Sequence, residues 1–355
     1  MSVNVAFHEE PSKSPHRVLA VTMGDLAGVG PEIVAKALLS GKWKNSARFL
    51  IVGDEKVLDR TCEKLKIRAR PKRWDGQSDL RAMVPGFYMV SRTDVDPKDV
   101  KMGVVDRRWG RASLEYVQYA ARLAMAGRVD GIVTAPISKE AVHLAGYPYE
   151  GHTDFLAHLT GDKDVRMMFL GPKMRVILVT VHMALCKVPE ILSTDLVFQT
   201  IRLGGQALRK LGTQTPRIVV CGLNPHAGEA GAFGKEDRQK IQPAVLAACR
   251  LGWQVTGPVS SDSFFHRALS GQWDVDLIVA MYHDQGLIPF KMLHFDRGVN
   301  TTVGLSFVRT SPDHGTAYDI AGKGIADPTS MREAIRWALV MSRPVQGHPA
   351  SKKLR

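Results

Sequence analysis

Cysteine is scarce in this chain. The four residues, Cys62, Cys186, Cys221 and Cys249, are scattered without a C-x-x-C pair, so neither a thiolate zinc site nor a disulfide framework is indicated and a reducing cytoplasm is the expected location. Long apolar runs are also missing: nothing approaches the roughly 18 consecutive apolar residues of a membrane span. The stretch from Met1 to Arg17 is polar, with two glutamates and two prolines where a signal peptide has its apolar core, and reads as a disordered leader over residues 1–16. No membrane partner is expected. Acidic residues are in deficit, 35 Asp and Glu against 48 Lys and Arg, for a formal net charge of +13. A basic surface can serve nucleic acid, an anionic membrane or acidic small molecules. Part of the excess is bland: Lys64, Lys66, Arg68, Arg70, Lys72 and Arg73 alternate along what reads as a solvated edge, and Lys352, Lys353 and Arg355 sit in a polar tail over 343–355. No RNA or DNA module signature accompanies the charge, so no nucleic-acid partner is expected.

The chain does have ample apolar content, 45% of 355 residues, enough for a large core and two domains. Strand candidates run over Arg17–Met23, Ala47–Val52, Asp130–Thr134, Arg175–Val181, Arg217–Cys221 and Leu277–Met281. Between them fall helical patterns at Ile33–Leu39 and at Arg111–Met125, where Leu114, Val117, Ala120, Ala121 and Ala124 keep helical spacing and Gly127 is placed to stop the helix. This alternation predicts an α/β architecture with mostly parallel sheets and right-handed crossovers. The first turn, Gly24-Asp25-Leu26-Ala27-Gly28-Val29-Gly30-Pro31-Glu32, could present backbone N–H groups to an anion, or could simply be a tight structural turn.

Three histidines stand close to the carboxyl ends of separate strand candidates: His182, His226 and His283. In open α/β sheets ligands collect at such ends, and three neutral imidazoles with an open fourth position are the pattern of a catalytic metal centre. From the residues alone, three ordinary satisfied histidines remain an equal reading. Downstream, Lys291, Arg297, Asn300 and Arg309 spread along a Gly-, Thr- and Ser-rich segment suited to cradling phosphate or carboxylate, unless Lys291 and Arg297 are surface loop charges.

Several ordered motifs together carry a resemblance. They are Met23-Gly24-Asp25 with Gly28-Val29-Gly30-Pro31-Glu32, Thr134-Ala135-Pro136 with Lys139, Gly151-His152-Thr153, Gly222-Leu223-Asn224-Pro225-His226-Ala227-Gly228-Glu229, and Tyr282-His283-Asp284-Gln285-Gly286. Over about Arg17 to Ser342 the chain resembles the 4-hydroxythreonine-4-phosphate dehydrogenases, the PdxA family. The resemblance implies two α/β/α domains of the isocitrate and isopropylmalate dehydrogenase kind, the first from 17–135 plus 285–342, the second from 136–284. It implies a homodimer with shared active sites, a divalent metal (Zn, Mg or Co) held by His182, His226 and His283 from both subunits, and substrate contacts at His152, Thr153, Lys291, Asn300 and Arg309.

The segment His314-Gly315-Thr316-Ala317 with Asp319-Ile320-Ala321-Gly322-Lys323-Gly324-Ile325-Ala326 resembles the adenosine-binding loop of the isopropylmalate dehydrogenases. This implies NAD or NADP lying against His314, Gly315, Thr316, Ala317, Asp319, Ile320 and Asp327, although those relatives usually carry Asn where Asp327 stands. Leu26 likewise replaces the family's usual Pro. The implied reaction oxidises 4-phosphooxy-L-threonine to 2-amino-3-oxo-4-phosphooxybutanoate, which decarboxylates to 3-amino-2-oxopropyl phosphate in vitamin B6 synthesis. His152, Lys139 and Asp284 are candidates for the proton acceptor. Paralogues on this scaffold that oxidise 4-phospho-threonate or 4-phospho-erythronate, or a cyclic dihydrodiol carboxylate, give the alternative readings within the family. Outside it stand a metal-dependent hydrolase, which would have no use for the His314–Ala326 loop, and a basic nucleic-acid binder, which would bind strands in a salt-sensitive way.

Overall fold

The computed structural model describes residues 17–342 apart from 41, 42 and 44; the expected leader and tail lie outside them. The chain enters as β1 (Val18–Thr22), whose five residues are all buried, and turns into α1 (Gly30–Leu38), with Pro31 in the first turn. β2 (Arg48–Gly53) follows, again buried throughout, then α2 (Glu55–Lys64), the two-residue β3 (Lys72–Arg73) and β4 (Gly86–Ser91). Strands that are apolar on both faces belong in a parallel sheet covered by helices. α3 (Arg107–Met125) begins earlier than its apolar spacing suggested, because the Asp106 carboxylate accepts from the Arg108 amide and caps it, and Gly127 at φ 69° follows its end.

β5 (Gly131–Thr134), α4 (Lys139–Leu144) and α5 (His152–Thr160) lead to the middle of the chain. There β6 (Arg166–Leu170) and β7 (Arg175–Leu178) form a hairpin, followed by the short α6 (Val188–Ile191) and α7 (Thr194–Lys210). β8 (Arg217–Cys221), α8 (Gln242–Arg250), β9 (Gln254–Val259), α9 (Ser261–Leu269) and β10 (Leu277–Ala280) continue the alternation. α10 (His283–His294) starts within the Tyr282–Gly286 motif, and β11 (Val299–Val303), β12 (Val308–Pro312) and α11 (Thr329–Met341) are the last described elements.

The twelve strands among the described residues form one mixed sheet in the order β3-β4-β2-β1-β5-β12-β11-β6-β7-β10-β8-β9. The first seven in that order come from 17–135 and 285–342, the last five from 136–284. Among the described residues antiparallel pairing occurs only at the centre, between β12 and β11, β11 and β6, and β6 and β7. Three reversals mean that the two parallel outer blocks run in opposite directions. The carboxyl ends of β5 and β12 therefore do not share an edge with those of β7, β8 and β10. The basic run behaves as a solvated face: Lys64, Lys66, Arg68, Arg70, Lys72 and Arg73 are exposed, with Arg70 paired to Asp59 and Arg73 to Glu55. No helix among the described residues is long and apolar enough to cross a membrane.

Candidate active site

Side chains alternate across a strand, and at the sheet's centre this alternation builds the floor of a cleft. Met167 and Phe169 of β6, Asn300 of β11, and Arg309 and Ser311 of β12 all line one cavity of about 450 Å³. Their register, Asn300 opposite Phe169 and Ser311, puts them side by side on one face. One wall comes from the first block: Thr134, Pro136, Ile137 and Lys139 after β5, and Asp313, His314 and Gly315 after β12. The other comes from Val181 and His182 beyond β7 and from His283, Leu287 and Lys291 of α10. His152 and Thr153, at the start of α5, close the end.

Arg309 dominates the electrostatics. It is 2% exposed, and its guanidinium donates to the Thr134 hydroxyl from Nε (3.2 Å) and Nη2 (2.9 Å) and to the Thr302 hydroxyl from Nη1 (3.1 Å). No carboxylate among the described residues pairs with it, and burial depresses its pKa to about 9. Thr302 also lies 3.3 Å from the Thr153 hydroxyl, which ties α5 to the floor. Thr134 and Thr302, the direct supports of Arg309, were missed by sequence reasoning because threonine in a strand is ordinarily unremarked.

Four buried polar atoms on this cleft lack a hydrogen-bond partner: His152 Nε2, Asn300 Oδ1, Asp313 Oδ2 and His314 Nε2. Native proteins leave few such atoms, and a cluster in one concavity points to a polar ligand. His152 is hydrogen-bonded to the Ala135 backbone, and burial, followed by the Arg309 charge, pushes its pKa well below the ordinary histidine value. Lys291 Nζ stands 3.7 Å from Asp313 Oδ2, whose carboxyl is raised by burial against the opposing pull of Lys291. Asp313 was also missed, although it immediately precedes the His314 motif.

The rings of His182 and His283 face each other with centroids 5.8 Å apart. Burial first, then Lys139 and His283, lower the His182 pKa. The Asp284 carboxylate lies 2.7 Å from His283 Nδ1. His226 is not on this cleft. It is exposed, 6.3 Å from the Phe233 ring, at the start of a run of positive-φ residues. Among the described residues no group of three or more His, Cys, Asp or Glu is arranged to hold a metal.

His314 and Gly315 reach the cleft, while Thr316, Ala317, Asp319, Ile320 and Asp327 lie in the irregular segment that follows. Asp327 Oδ1 accepts from the Thr329 amide (2.9 Å) and hydroxyl (2.7 Å), starting α11. The first turn proves to be structural: Val29 N donates to Thr316 O and Asp25 N to Pro136 O. Gly24, at φ 68°, leaves no room for a Cβ, which would sit 2.3 Å from Pro136 O. Leu26, in place of the usual proline, is fully buried.

Fold and cleft together define the class, an α/β enzyme with a cationic, imidazole-rich cleft. The model of the family described as pyridoxal phosphate biosynthetic protein PdxA matches residues 45–338, and the chain belongs to that family. It is 44% identical over 336 residues to the 4-hydroxythreonine-4-phosphate dehydrogenase of Geobacter metallireducens, covering 94% of this chain and 97% of that one. It is also 44% identical over 326 residues to the D-threonate 4-phosphate dehydrogenase of Cupriavidus necator, covering 90% and 95%. The crystal structure of 4-hydroxythreonine-4-phosphate dehydrogenase from Klebsiella pneumoniae matches with a TM-score of 0.81 at 39% identity, over 92% of this chain and all of that one. The chain is thus an oxidoreductase, a dehydrogenase of the PdxA family.

Proposed function

We propose that this enzyme oxidises the C3 hydroxyl of 4-phosphooxy-L-threonine with NAD or NADP and a divalent metal, giving 2-amino-3-oxo-4-phosphooxybutanoate. That β-keto acid loses carbon dioxide to leave 3-amino-2-oxopropyl phosphate, a step in pyridoxal phosphate synthesis. The observation that carries the reading is Arg309, a buried guanidinium with no carboxylate partner on the floor of a cleft that also holds Lys291. An arginine so placed requires an anion, and phosphate or carboxylate matches its fork of donors. Asn300 Oδ1 and His152 Nε2 supply partnerless polar atoms to orient the rest of the substrate, and orientation contributes as much as affinity.

The imidazoles fit a divalent cation. His182 favours the neutral form, and the Asp284 carboxylate at His283 Nδ1 leaves Nε2 free to ligate, the usual arrangement behind a metal-bound histidine. Imidazole donors favour zinc or cobalt over magnesium. When bound, the metal would act as a Lewis acid on the hydroxyl while the nicotinamide, held by the loop from His314 to Asp327, would accept the hydride. The hydroxyl proton needs an acceptor. Asp284 is committed to His283 and His152 resists protonation, so Lys139 on the cleft wall is the base we assign.

His226 would reach the metal from a second copy of the chain. Each histidine has exposed apolar neighbours that suit such a contact: Met183 after His182, Phe233 beside His226, and Ile288, Met292 and Phe295 at 58%, 81% and 71% exposure along α10 after His283. An outward apolar stripe of this kind calls for a covering partner. The two sheet blocks then form two domains, 17–135 with 285–342 and 136–284, facing each other across the cleft.

Oxidation of D-threonate 4-phosphate is the second reading, favoured by the equal identity to the Cupriavidus necator enzyme. The deciding experiment measures NADH or NADPH production by metal-replete protein with 4-phosphooxy-L-threonine, 4-phospho-threonate and 4-phospho-erythronate in parallel. Turnover of the amino substrate is expected. Turnover of the sugar-acid phosphates alone would replace it with the second reading, and no reduction with any would overturn both.

A further inference from the structure

The motif from Gly24 to Glu32 is left without a chemical role once the Asp25 and Val29 N–H groups are found to be engaged, and the charges on α1 that follow its turn point elsewhere. Glu32, 5% exposed, accepts from the Ala326 amide at Oε1 (2.8 Å) and from the Gly324 amide at Oε2 (3.2 Å). Lys36, one turn later on α1, donates to Glu32 Oε1 (2.8 Å), Gly324 O (2.9 Å) and Ala326 O (2.8 Å). All three ammonium protons are thereby used, and the carboxylate is bonded at both oxygens. An acid–base pair four residues apart on one helix thus grips both the N–H and the C=O groups of a loop nearly 300 residues away. The same loop is tied to the first turn by Val29 N to Thr316 O (2.9 Å) and by the Tyr318 hydroxyl to the buried Asp25 carboxylate (2.9 Å). Its turns depend on glycine, since Gly322 and Gly324 both have positive φ.

We propose that Glu32 and Lys36 are positioning residues for the dinucleotide: their ion pair holds the Gly324–Ala326 segment in the shape that the cofactor meets. This rests on the reading of His314–Asp327 as the cofactor loop. Neither side chain lies on the substrate cleft, so the pair acts on cofactor affinity and leaves the phosphate-binding floor untouched. Breaking one partner strands a buried charge, whereas removing both does not.

The test compares wild type with Glu32→Gln/Lys36→Met in the full-length, metal-replete enzyme. NAD and NADP binding is followed by titration calorimetry, initial rates are measured in both substrates, and circular dichroism checks the fold. The double variant is expected to raise the dinucleotide KM at least tenfold with kcat and the KM of the phosphorylated substrate within about twofold. A folded double variant with wild-type dinucleotide KM, or one whose substrate KM moves equally, overturns the proposal. Hydrogen exchange on the wild type gives a readout independent of folding. The Gly324 and Ala326 amides are expected to be protected without cofactor, and exchange at unprotected loop rates overturns the clamp. Wild type that binds neither dinucleotide would instead overturn the cofactor-loop reading, and this inference with it.

Discussion

Arg309→Met should make the ligand-free protein more stable while disabling it. The guanidinium is buried with only two threonine hydroxyls as acceptors, and its pKa falls from above 12 to about 9. At about 1.4 kcal/mol per tenfold change in proton affinity, that depression corresponds to roughly 4–5 kcal/mol of unfavourable burial, an upper limit because cleft water screens it. Methionine removes the charge and fills much of the volume. It forfeits the hydrogen bonds to Thr134 and Thr302, worth about 1 kcal/mol each. The net expectation is a gain of about 1–3 kcal/mol in urea unfolding at pH 7. Binding should move the other way. Losing a charge-assisted contact to an anion costs about 2–4 kcal/mol, or roughly 30- to 1,000-fold in substrate KM. Thermal unfolding with and without substrate separates the two effects, since ligand should raise the wild-type midpoint and leave the variant's unchanged. A variant less stable than wild type, or one that still responds to substrate, would refute the reasoning that the cleft stores an uncompensated charge for its ligand.

Lys139→Met should lower kcat by about 10²- to 10⁴-fold with a smaller change in KM, as expected for a lost general base; initial rates across pH are the measurement, and near-normal kcat would remove Lys139 from that role. His226→Ala and His283→Ala should each be inactive alone, yet mixed dimers should recover about a quarter of wild-type activity, since half the dimers are hybrids with one intact site of two. No recovery in confirmed hybrids would exclude sharing. His294, 5% exposed in the structure, has its pKa lowered to about 4, by burial first and then by Lys173 and Arg297. The neutral ring is the favoured folded form, so its contribution of about 2–3 kcal/mol is fully present above the unfolded value near 6.5 and is lost as pH falls from there towards 4. His294→Gln should therefore show a shallower fall in unfolding free energy over pH 7 to 4, and an unchanged slope would count against it.

Much of the cleft was legible because chemistry-bearing residues in long buried elements are constrained by them. Lys291, Asn300 and Arg309 fall on α10, β11 and β12, and helix and strand periodicity leave few ways for them to face anything but one concavity. His152, Thr153, His182 and His283 sit just beyond strands or at helix starts and arrive at the same place. What escaped the sequence is the reversal at the centre of the sheet. β11, Val299-Asn300-Thr301-Thr302-Val303, has polar residues on both faces, so neither an apolar run nor an alternation announces a strand, still less its direction. α10 was hidden by Gly286 and by Pro289 within it, two residues that ordinarily argue against a helix. The supports of Arg309 escaped because a hydroxyl acquires its meaning from a guanidinium 175 residues away in the case of Thr134.

His226 is the position where single-chain geometry meets the shared site proposed above. From His226 to Ala230 the backbone holds φ values of 52°, 52°, 83°, 41° and 54°, a left-handed turn in which only Gly228 is a glycine. Left-handed conformation costs about 1–2 kcal/mol for each of the other four residues, so several kcal/mol are stored in a segment whose first side chain is exposed. The surrounding bonds are strong enough to hold it. The buried Asp237 carboxylate accepts from Leu223 N (2.7 Å), Asn224 N (3.1 Å) and Asn224 Nδ2 (2.9 Å). Gln285 donates to Gly222 O and accepts from Met281 N, both at 2.6 Å. That glutamine belongs to the first turn of α10, two residues after His283. The segment leading into the strained turn is thus anchored to the element that carries a cleft imidazole, although His226 itself does not line that cleft. Strain fixed so firmly at an exposed histidine calls for a use. It has one if the ring must be presented at a set angle to the His182–His283 pair of a second copy, because a mobile third ligand would lose in entropy what the shared site gains in coordination.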